Sequence, residues 1–570
     1  MPQTFRRAFV ACLLITTTMY AQQRVPAPST KRTSPAQSTP AATPPTEQPT
    51  TQTPSEHEPT MRNEQRPIER TATSEAEDRN RERTEQMRFD VREVPPVVTH
   101  HSAEIGGKRL NYTATAGRLP IKDATGNIEA EMFFVAYTLD GQDPAKRPLT
   151  FSFNGGPGSA SFWLHLGIMG PKRVAMTPEG WLPPAPYHLV DNESSPLDRT
   201  DIVMVDAIGT GYSRPKDNTT GKKFWGVRGD IESFGEFIRM YLSRYERFSS
   251  PLYLFGESYG TFRSAGIAGY LADKGINFNG IALLSSLLSY QTLEPAVMND
   301  LAYPLLLPSL TAVAHYHKKL PPDLQNQPED AARKAAEEFA SGEYTTLLNK
   351  GDAMTPQEHD QLVSQVARFT GLDPLIVDQS DGRISVQIFT HYLLGKEKLR
   401  VGRLDARYVD PDPNGFMDTP FFDPSGAETQ GPWYSTFNNY VRTELGYKTD
   451  EPYFSSARED SAFNWDFSTT IGGNQRGGGG SIGYPSTALA MRQAITKDKY
   501  LKVLVLEGYY DLATPYFNAN YTFHHLNLPP AYLKNISYAT YESGHMVYLE
   551  ENSRHKLKSD FANFIDQTTH

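Results

Sequence analysis

A serine in a strained turn is the first residue that could perform covalent chemistry. Ser258 is the central residue of a G-x-S-x-G motif, at residues 256–260, that follows an apolar run and precedes a stretch rich in small residues. A serine held in this way between a strand and a helix presents its hydroxyl for attack, and side chains two positions to either side would clash. We therefore predict that Ser258 is a nucleophile rather than an ordinary turn serine.

A serine hydroxyl becomes an effective nucleophile when a base takes its proton and an acid orients that base. With a serine of this type, the acid and then the histidine follow later in the chain. Asp511 follows the apolar run at residues 503–506, and His545 follows the run at 536–541. We predict that these two residues complete a catalytic triad with Ser258. The other candidates for the acid are Glu507, Asp498 and Asp560.

Two backbone N–H groups are needed to stabilise the oxyanion that forms when a serine attacks a carbonyl group. One should come from Tyr259, the residue after the nucleophile. The glycine-rich loop at residues 154–158 follows an apolar run and predicts Gly156 as the second donor. The alternative for this loop is a tight glycine turn that binds no ligand.

The hydrophobic pattern predicts the elements that carry these residues. Strands are indicated at residues 111–119 and 128–139, and buried strands at 149–153, 202–205, 252–255, 281–284, 503–506 and 536–541. Apolar residues at helical spacing occupy 231–245, just before one of the strands. Strands that alternate with helices favour an α/β fold with a mostly parallel central sheet flanked by helices.

The strand series is interrupted between about residue 290 and residue 480. An insertion of this size into an open α/β sheet should lie over the carboxyl ends of the strands, where such sheets bind ligands. We therefore predict a first core segment at 96–290, a largely helical cap at 291–480 and a second core segment at 481–570.

The first 95 residues have a different character. Arg6 and Arg7 precede a short apolar run, which predicts a secretory signal over residues 1–21. The alternatives are an uncleaved membrane anchor and a lipidated Cys12. Residues 22–95 are rich in Pro, Thr, Gln and charged residues, which predicts a disordered linker. We thus expect an exported protein, periplasmic or extracellular, that associates with a membrane only if the first segment stays attached.

The composition excludes several classes of function. The 570 residues are 38% hydrophobic and carry a formal net charge of −10, so nucleic acid is not an expected partner. Cys12 is the single cysteine, which excludes an intrachain disulfide and a cysteine nucleophile. An exported chain without disulfides fits a bacterial cell. We expect neither a metal nor a cofactor, because no ligand cluster has suitable spacing.

Five motifs together resemble the serine carboxypeptidase family of α/β hydrolases, as a bacterial-type member. They are N-G-G-P-G at 154–158, the D-x-x-G-x-G-Y-S stretch at 206–213, the motif around Ser258, the loop of Asp511, and G-H-M at 544–546. The resemblance implies the α/β-hydrolase fold, the triad of Ser258, Asp511 and His545, and a peptide substrate with a free C-terminus.

The family also binds the terminal carboxylate of its substrate. The resemblance assigns this role to Asn154 and Glu257, and makes Met546 a wall of the pocket for the leaving residue. Two carboxylates can share a proton at low pH, which would favour binding there. One family glutamate is replaced by Ile168, so a recognition partner is missing unless His165 or another group substitutes.

The sequence therefore predicts an exported serine carboxypeptidase. The loss of a glutamate at Ile168 mildly favours a second reading, an acyltransferase or small-ester hydrolase with the same triad. A non-catalytic surface binder is the third, and the intact triad spacing argues against it.

Overall fold

The computed structural model describes residues 89–413, 422–460, 463–467 and 483–569. The predicted signal at 1–21 and the first part of the predicted linker, up to residue 88, lie outside the described residues. The strands are β1 (Val97–Ile105), β2 (Lys108–Lys122), β3 (Ile128–Leu139), β4 (Leu149–Phe153), β5 (Lys172–Val174), β6 (Leu189–Asp191), β7 (Asp201–Val205), β8 (Arg214–Pro215), β9 (Leu252–Glu257), β10 (Gly280–Leu284), β11 (Arg400–Val401), β12 (Val409–Asp410), β13 (Lys502–Gly508) and β14 (Ile536–Tyr541).

Helices fill most of the chain between the strands. They are α1 (Phe162–Leu164), α2 (Asn218–Gly221), α3 (Val227–Arg244), α4 (Tyr259–Ala272), α5 (Ala302–Tyr316), α6 (Pro322–Gln325), α7 (Glu329–Phe339), α8 (Thr345–Leu348), α9 (Pro356–Thr370), α10 (Pro374–Gln379), α11 (Val386–Tyr392), α12 (Pro424–Thr443), α13 (Ala488–Lys497), α14 (Tyr516–His524), α15 (Pro530–Leu533) and α16 (Glu551–Thr568).

The central sheet has the strand order β1-β2-β3-β7-β4-β9-β10-β13-β14, and β8 pairs with β3. The pairs from β7 to β14 are parallel, whereas β1, β2 and β3 form an antiparallel edge. This arrangement confirms the predicted mostly parallel sheet with flanking helices. Strand β1 was not predicted, because its charged and polar residues are half-exposed at the edge of the sheet.

The core follows from the alternation of side chains along the strands. Leu254 and Val505 point to one face of the sheet and join a cluster with α3 and α4. Their neighbours Phe255 and Leu506 point to the other face and pack with α16. The run at 536–541, which was expected to be a buried strand, is instead the edge strand β14, with Tyr538 exposed.

The segment between β10 and β13 contributes mainly helices. They share a hydrophobic cluster of their own, which includes Leu310, Val366 and Phe389. At the other end of the fold, the predicted linker reaches the body before residue 95, because Phe89 donates a backbone hydrogen bond to Lys216 (3.0 Å) and its ring lies against Arg214.

A buried ion pair connects α3, α4 and the loop after β4. Arg263 donates two hydrogen bonds to Asp230, of 2.8 and 3.0 Å, and a third of 2.6 Å to the backbone oxygen of Asn154. Both side chains are excluded from water. Loss of one partner would leave the other charge buried without compensation, which is far more costly than loss of an exposed pair.

We predict that Asp230→Ala lowers the free energy of unfolding by about 3–5 kcal/mol. The control is Arg228→Ala, which removes the exposed pair of Arg228 with Glu232 and should cost under about 1 kcal/mol. Urea unfolding followed by tryptophan fluorescence measures both. Equal effects of the two variants would contradict the prediction.

Candidate active site

The turn that carries Ser258 has the strained geometry that its motif predicts. Ser258 lies between β9 and α4 with φ 61° and ψ −130°, and its N–H donates to the backbone oxygen of Leu284 (2.9 Å). A positive φ at a residue other than glycine costs on the order of 1–3 kcal/mol. A Cβ on Gly256 would lie 2.3 Å from the backbone oxygen of Gly260, so the glycine is required here.

The loop after β4 touches the backbone of this turn. A Cβ on Gly155 would lie 2.4 Å from the backbone nitrogen of Tyr259, and a Cβ on Gly260 would lie 2.7 Å from the oxygen of Phe153. Within the described residues, the N–H groups of Gly156 and Tyr259 donate no hydrogen bond. Two free donors are therefore held beside Ser258. The path of the loop gives Gly156 a φ of +107°, a conformation that favours glycine.

His545 and Asp511 meet above the ends of β13 and β14. Nδ1 of His545 lies 2.7 Å from Oδ2 of Asp511. The other carboxylate oxygen accepts backbone hydrogen bonds from Ala513 and Thr514, of 2.7 and 2.9 Å. The Thr514 hydroxyl donates to Oδ2 of Asp511 and lies 3.1 Å from Nδ1 of His545. The carboxylate is thus fixed in a position to orient the imidazole ring.

Opposing influences act on the imidazole of His545. Burial alone would lower its pKa, but the negative charges of Asp511 and Glu257 outweigh burial, so the pKa of His545 is raised. The positive guanidinium of Arg403 acts in the same direction as burial. The neutral ring, which is the form that can accept a proton, therefore develops only at a pH above its ordinary range.

The alternative acids have other partners. The carboxylate of Glu507 accepts a hydrogen bond from the N–H of Ser286 (3.1 Å), and burial raises the pKa of Glu507 well above its usual value. Asp498 accepts from the N–H of Tyr500, and Asp560 accepts from the hydroxyl of Tyr541. Of the four carboxylates considered from the sequence, Asp511 is the one hydrogen-bonded to His545.

Ser258 and His545 line one cavity of about 250 Å³. It is also lined by Asn154, Gly156, Glu257 and Met546. The segment between β10 and β13 contributes Arg403 and Leu404, which follow β11, and Gly426, Thr429 and Gln430, which lie in α12. Among the described residues, the Ser258 hydroxyl has no hydrogen bond to the imidazole. Catalytic hydrogen bonds are often long or poorly aligned before substrate binds.

Asn154 and Glu257 form a pair inside this cavity. Nδ2 of Asn154 donates to Oε1 of Glu257 (2.9 Å), and Oδ1 of Asn154 accepts from the N–H of Leu164 (2.9 Å). Oε2 of Glu257 has no hydrogen-bond partner among the described residues, although the Tyr548 hydroxyl is near enough to influence it. Burial raises the pKa of Glu257 to about 7, against the opposite effects of His545, Tyr548 and Asn154.

His165 does not line this cavity. Its Nε2 is 2.6 Å from the hydroxyl of Tyr137, which in turn lies 3.1 Å from the hydroxyl of Tyr440. Burial lowers the pKa of His165 to about 3, so the ring is neutral. Ile168 is also buried, in the hydrophobic cluster on the same face of the sheet. The suggestion that His165 substitutes for the missing glutamate is therefore wrong in this geometry.

The sequence analysis did not find Thr514 or Arg403. The threonine is three residues after Asp511, at the distance from which a hydroxyl can return to a carboxylate in a turn. Arg403 is more than a hundred residues from each predicted site residue, and no local pattern distinguishes it. A larger cavity of about 570 Å³, lined by Trp181, Tyr408 and Tyr541 among others, contains none of the predicted site residues.

A parallel sheet with the Ser258 turn at the end of β9 and the His545 loop after β14 defines an α/β hydrolase. Residues 107–373 match the family model of the serine carboxypeptidases.

Individual relatives are distant. The chain is 24% identical over 249 residues to a serine carboxypeptidase family member of Dictyostelium discoideum. The aligned region covers 42% of this chain and 52% of the relative. The chain thus spans about half the length of this curated relative. Among solved structures, a prohormone-processing carboxypeptidase from Saccharomyces cerevisiae has a TM-score of 0.47 at 16% identity, covering 79% of this chain and 91% of the other. A putative aryl esterase from Burkholderia cenocepacia has a TM-score of 0.32 at 12% identity, covering 79% and 99%.

We predict that Asp511→Asn lowers the pKa of His545, because it removes the nearest charge that raises this pKa. Glu507→Gln is the matched control. It removes a buried carboxyl whose pKa burial raises well above its usual value and which is not hydrogen-bonded to the imidazole. Titration of ¹³C-labelled histidine by NMR measures both variants. A shift in Glu507→Gln as large as in Asp511→Asn would assign the acid to the wrong residue.

Proposed function

We propose that this protein is a serine carboxypeptidase that hydrolyses the C-terminal peptide bond of its substrates. The observation that carries the proposal is that one cavity is lined by Ser258, by the hydrogen-bonded His545, and by the Asn154–Glu257 pair. A nucleophile with its base thus lies next to a pair that can recognise a carboxylate.

The reaction proceeds in two steps. The Ser258 hydroxyl attacks the carbonyl carbon of the last peptide bond while Nε2 of His545 takes its proton. The N–H groups of Gly156 and Tyr259 stabilise the oxyanion. The imidazolium then protonates the leaving amine, and an acyl-enzyme ester remains on Ser258. Water, deprotonated by His545, hydrolyses this ester and releases the shortened peptide.

Recognition of the free C-terminus uses Asn154 and Glu257. The amide of Asn154 donates to the substrate carboxylate, and protonated Glu257 donates a second hydrogen bond from its otherwise unpartnered oxygen. Met546 forms the wall against which the leaving residue packs. Because Glu257 has a pKa of about 7, it repels the carboxylate once it has ionised at higher pH.

A small-ester hydrolase or acyltransferase is the second candidate, and the replacement of a family glutamate by Ile168 favours it. Both use the same acyl-enzyme and differ in the leaving group or in the acceptor. Comparison of an acid, an amide and an ester of one compound separates this candidate from the first.

Export is the third part of the proposal and rests on the basic and apolar start of the chain. No helix among the described residues is long and apolar enough to cross a membrane. Fractionation of cells that express the whole chain tests the proposal, and cytoplasmic retention of uncleaved protein would contradict it.

We predict that a fluorophosphonate probe labels Ser258 and that Ser258→Ala or His545→Ala lowers kcat/KM by at least ~10³-fold. The exposed Ser435→Ala should retain normal activity and labelling. Peptide mapping locates the modified residue. Labelling of another residue, or an active Ser258→Ala variant, would refute the assignment.

We predict that a blocked dipeptide with a free C-terminus is a better substrate than its amide. In Asn154→Ala, KM should rise more for the free acid than for the methyl ester, since the carboxylate is the one group of the substrate that the lost amide would bind. Cleavage of the amide and ester alone would exclude a carboxypeptidase, and an equal rise in both KM values would exclude Asn154 as the carboxylate ligand.

We predict that KM for the free acid increases as the pH rises through about 7, because the protonated form of Glu257 is then lost. KM for the amide should change little, since it carries no charge to be repelled. Glu257→Gln cannot ionise, so its KM for the free acid should be nearly independent of pH. Identical pH profiles for the two enzymes would rule out a role for this proton.

A further inference from the structure

Arg403 is a cationic side chain in the wall of the candidate active site. It lines the cavity with Ser258 and His545, and it also lines an adjoining cavity of about 140 Å³ that shares Ala513 with the first. Among the described residues that line the Ser258 cavity, it is the one lysine or arginine. The positive charge is near enough to the imidazole to affect the pKa of His545.

The backbone around Arg403 is bonded to the loops of both Asp511 and His545. The N–H of Leu512 donates to the oxygen of Arg403 (3.1 Å), and the N–H of His545 donates to the oxygen of Leu404 (2.6 Å). The N–H of Arg403 donates to the carboxylate of Asp423 (3.1 Å). The position of Arg403 relative to the reacting groups is therefore set by main-chain hydrogen bonds rather than by a free loop.

The guanidinium of Arg403 is half-buried and makes no hydrogen bond or ion pair with the described residues. Its neighbour Arg407 is different, because it is paired with Asp405 at hydrogen-bond distances of 2.6 and 3.0 Å. A partly desolvated guanidinium usually has a partner, and its planar fork fits a carboxylate with two parallel hydrogen bonds. Arg403 thus contributes an unpaired guanidinium to the lining of the cavity where the substrate would lie.

We propose that Arg403 is a specificity-determining residue that binds a carboxylate of the peptide substrate. This proposal rests on the proposed function, because it assumes that a peptide occupies the cavity. An arginine is a charged hydrogen-bond donor at every physiological pH, whereas Glu257 can donate only while it is protonated. Arg403 would thus offer a partner for a carboxylate where the replacement of the family glutamate by Ile168 removes one. The carboxylate belongs either to the C-terminus or to an acidic side chain on the acyl side of the scissile bond.

The test measures binding without turnover. Isothermal titration calorimetry is performed on the full chain with Ser258→Ala as the only substitution, and on double variants that add Arg403→Gln, Arg403→Lys or the exposed control Arg228→Gln. The ligands are N-acetyl-Phe-Leu, its C-terminal amide, and the amides of N-acetyl-Glu-Leu and N-acetyl-Gln-Leu. Fluorophosphonate labelling of Arg403→Gln with Ser258 intact checks that the site is still formed.

Arg403→Gln should weaken binding of the recognised carboxylate by about 10- to 100-fold, because it removes a hydrogen-bonded contact between two charged groups. The uncharged analogue should change by less than about 2-fold, and Arg403→Lys should be intermediate because it keeps the charge but loses the fork. If Arg403→Gln weakens binding of N-acetyl-Phe-Leu but not of its amide, Arg403 binds the C-terminal carboxylate. If it weakens binding of the N-acetyl-Glu-Leu amide but not of the N-acetyl-Gln-Leu amide, Arg403 binds the acidic side chain.

The proposal is overturned if Arg403→Gln weakens all four ligands equally, if it weakens none, or if no ligand binds to any variant. Failure of the proposed function is distinguishable from these results. In that case the enzyme with Ser258 intact does not hydrolyse N-acetyl-Phe-Leu, whereas the dependence of carboxylate binding on Arg403 persists.

Discussion

The contact between two backbone segments is the constraint on which the candidate site depends. The loop after β4 lies so close to the first turn of α4 that no side chain fits at Gly155 or Gly260. This approach holds the N–H groups of Gly156 and Tyr259 beside Ser258 without a hydrogen-bond partner among the described residues. The buried Asp230–Arg263 pair helps to fix the loop after β4, because Arg263 also donates a hydrogen bond to the backbone oxygen of Asn154.

The chain between β10 and β13 also contributes to the candidate site. Its residues 403 and 404 accept hydrogen bonds from the loops of Asp511 and His545, so the inserted segment and the two catalytic candidates are linked through main-chain atoms. The match to the serine carboxypeptidase family model ends at residue 373, so these residues, like Asp511 and His545, lie beyond the matched region.

Glu257 and His545 are electrostatically coupled. The charge of Glu257 raises the pKa of His545, and positive His545 lowers the pKa of Glu257. Protonation of Glu257 would therefore have two effects in the same direction. It would remove the repulsion of a substrate carboxylate, and it would favour the neutral imidazole that can act as a base. Two groups coupled in this way titrate as a pair, with apparent pKa values that belong to both.

The sequence by itself determined eight of the ten strands of the central sheet and the three segments that carry Ser258, Asp511 and His545, because strand patterns and the G-x-S-x-G turn are local. It left four carboxylates as candidate acids, and only the tertiary structure separated Asp511 from Glu507, whose side chain hydrogen-bonds to Ser286. The tertiary structure also shows that His165 lies in a buried cluster with Tyr137 and Tyr440, and that Arg403 lines the Ser258 cavity. Contacts between residues more than a hundred positions apart depend on how the whole chain packs, and no local spacing encodes them.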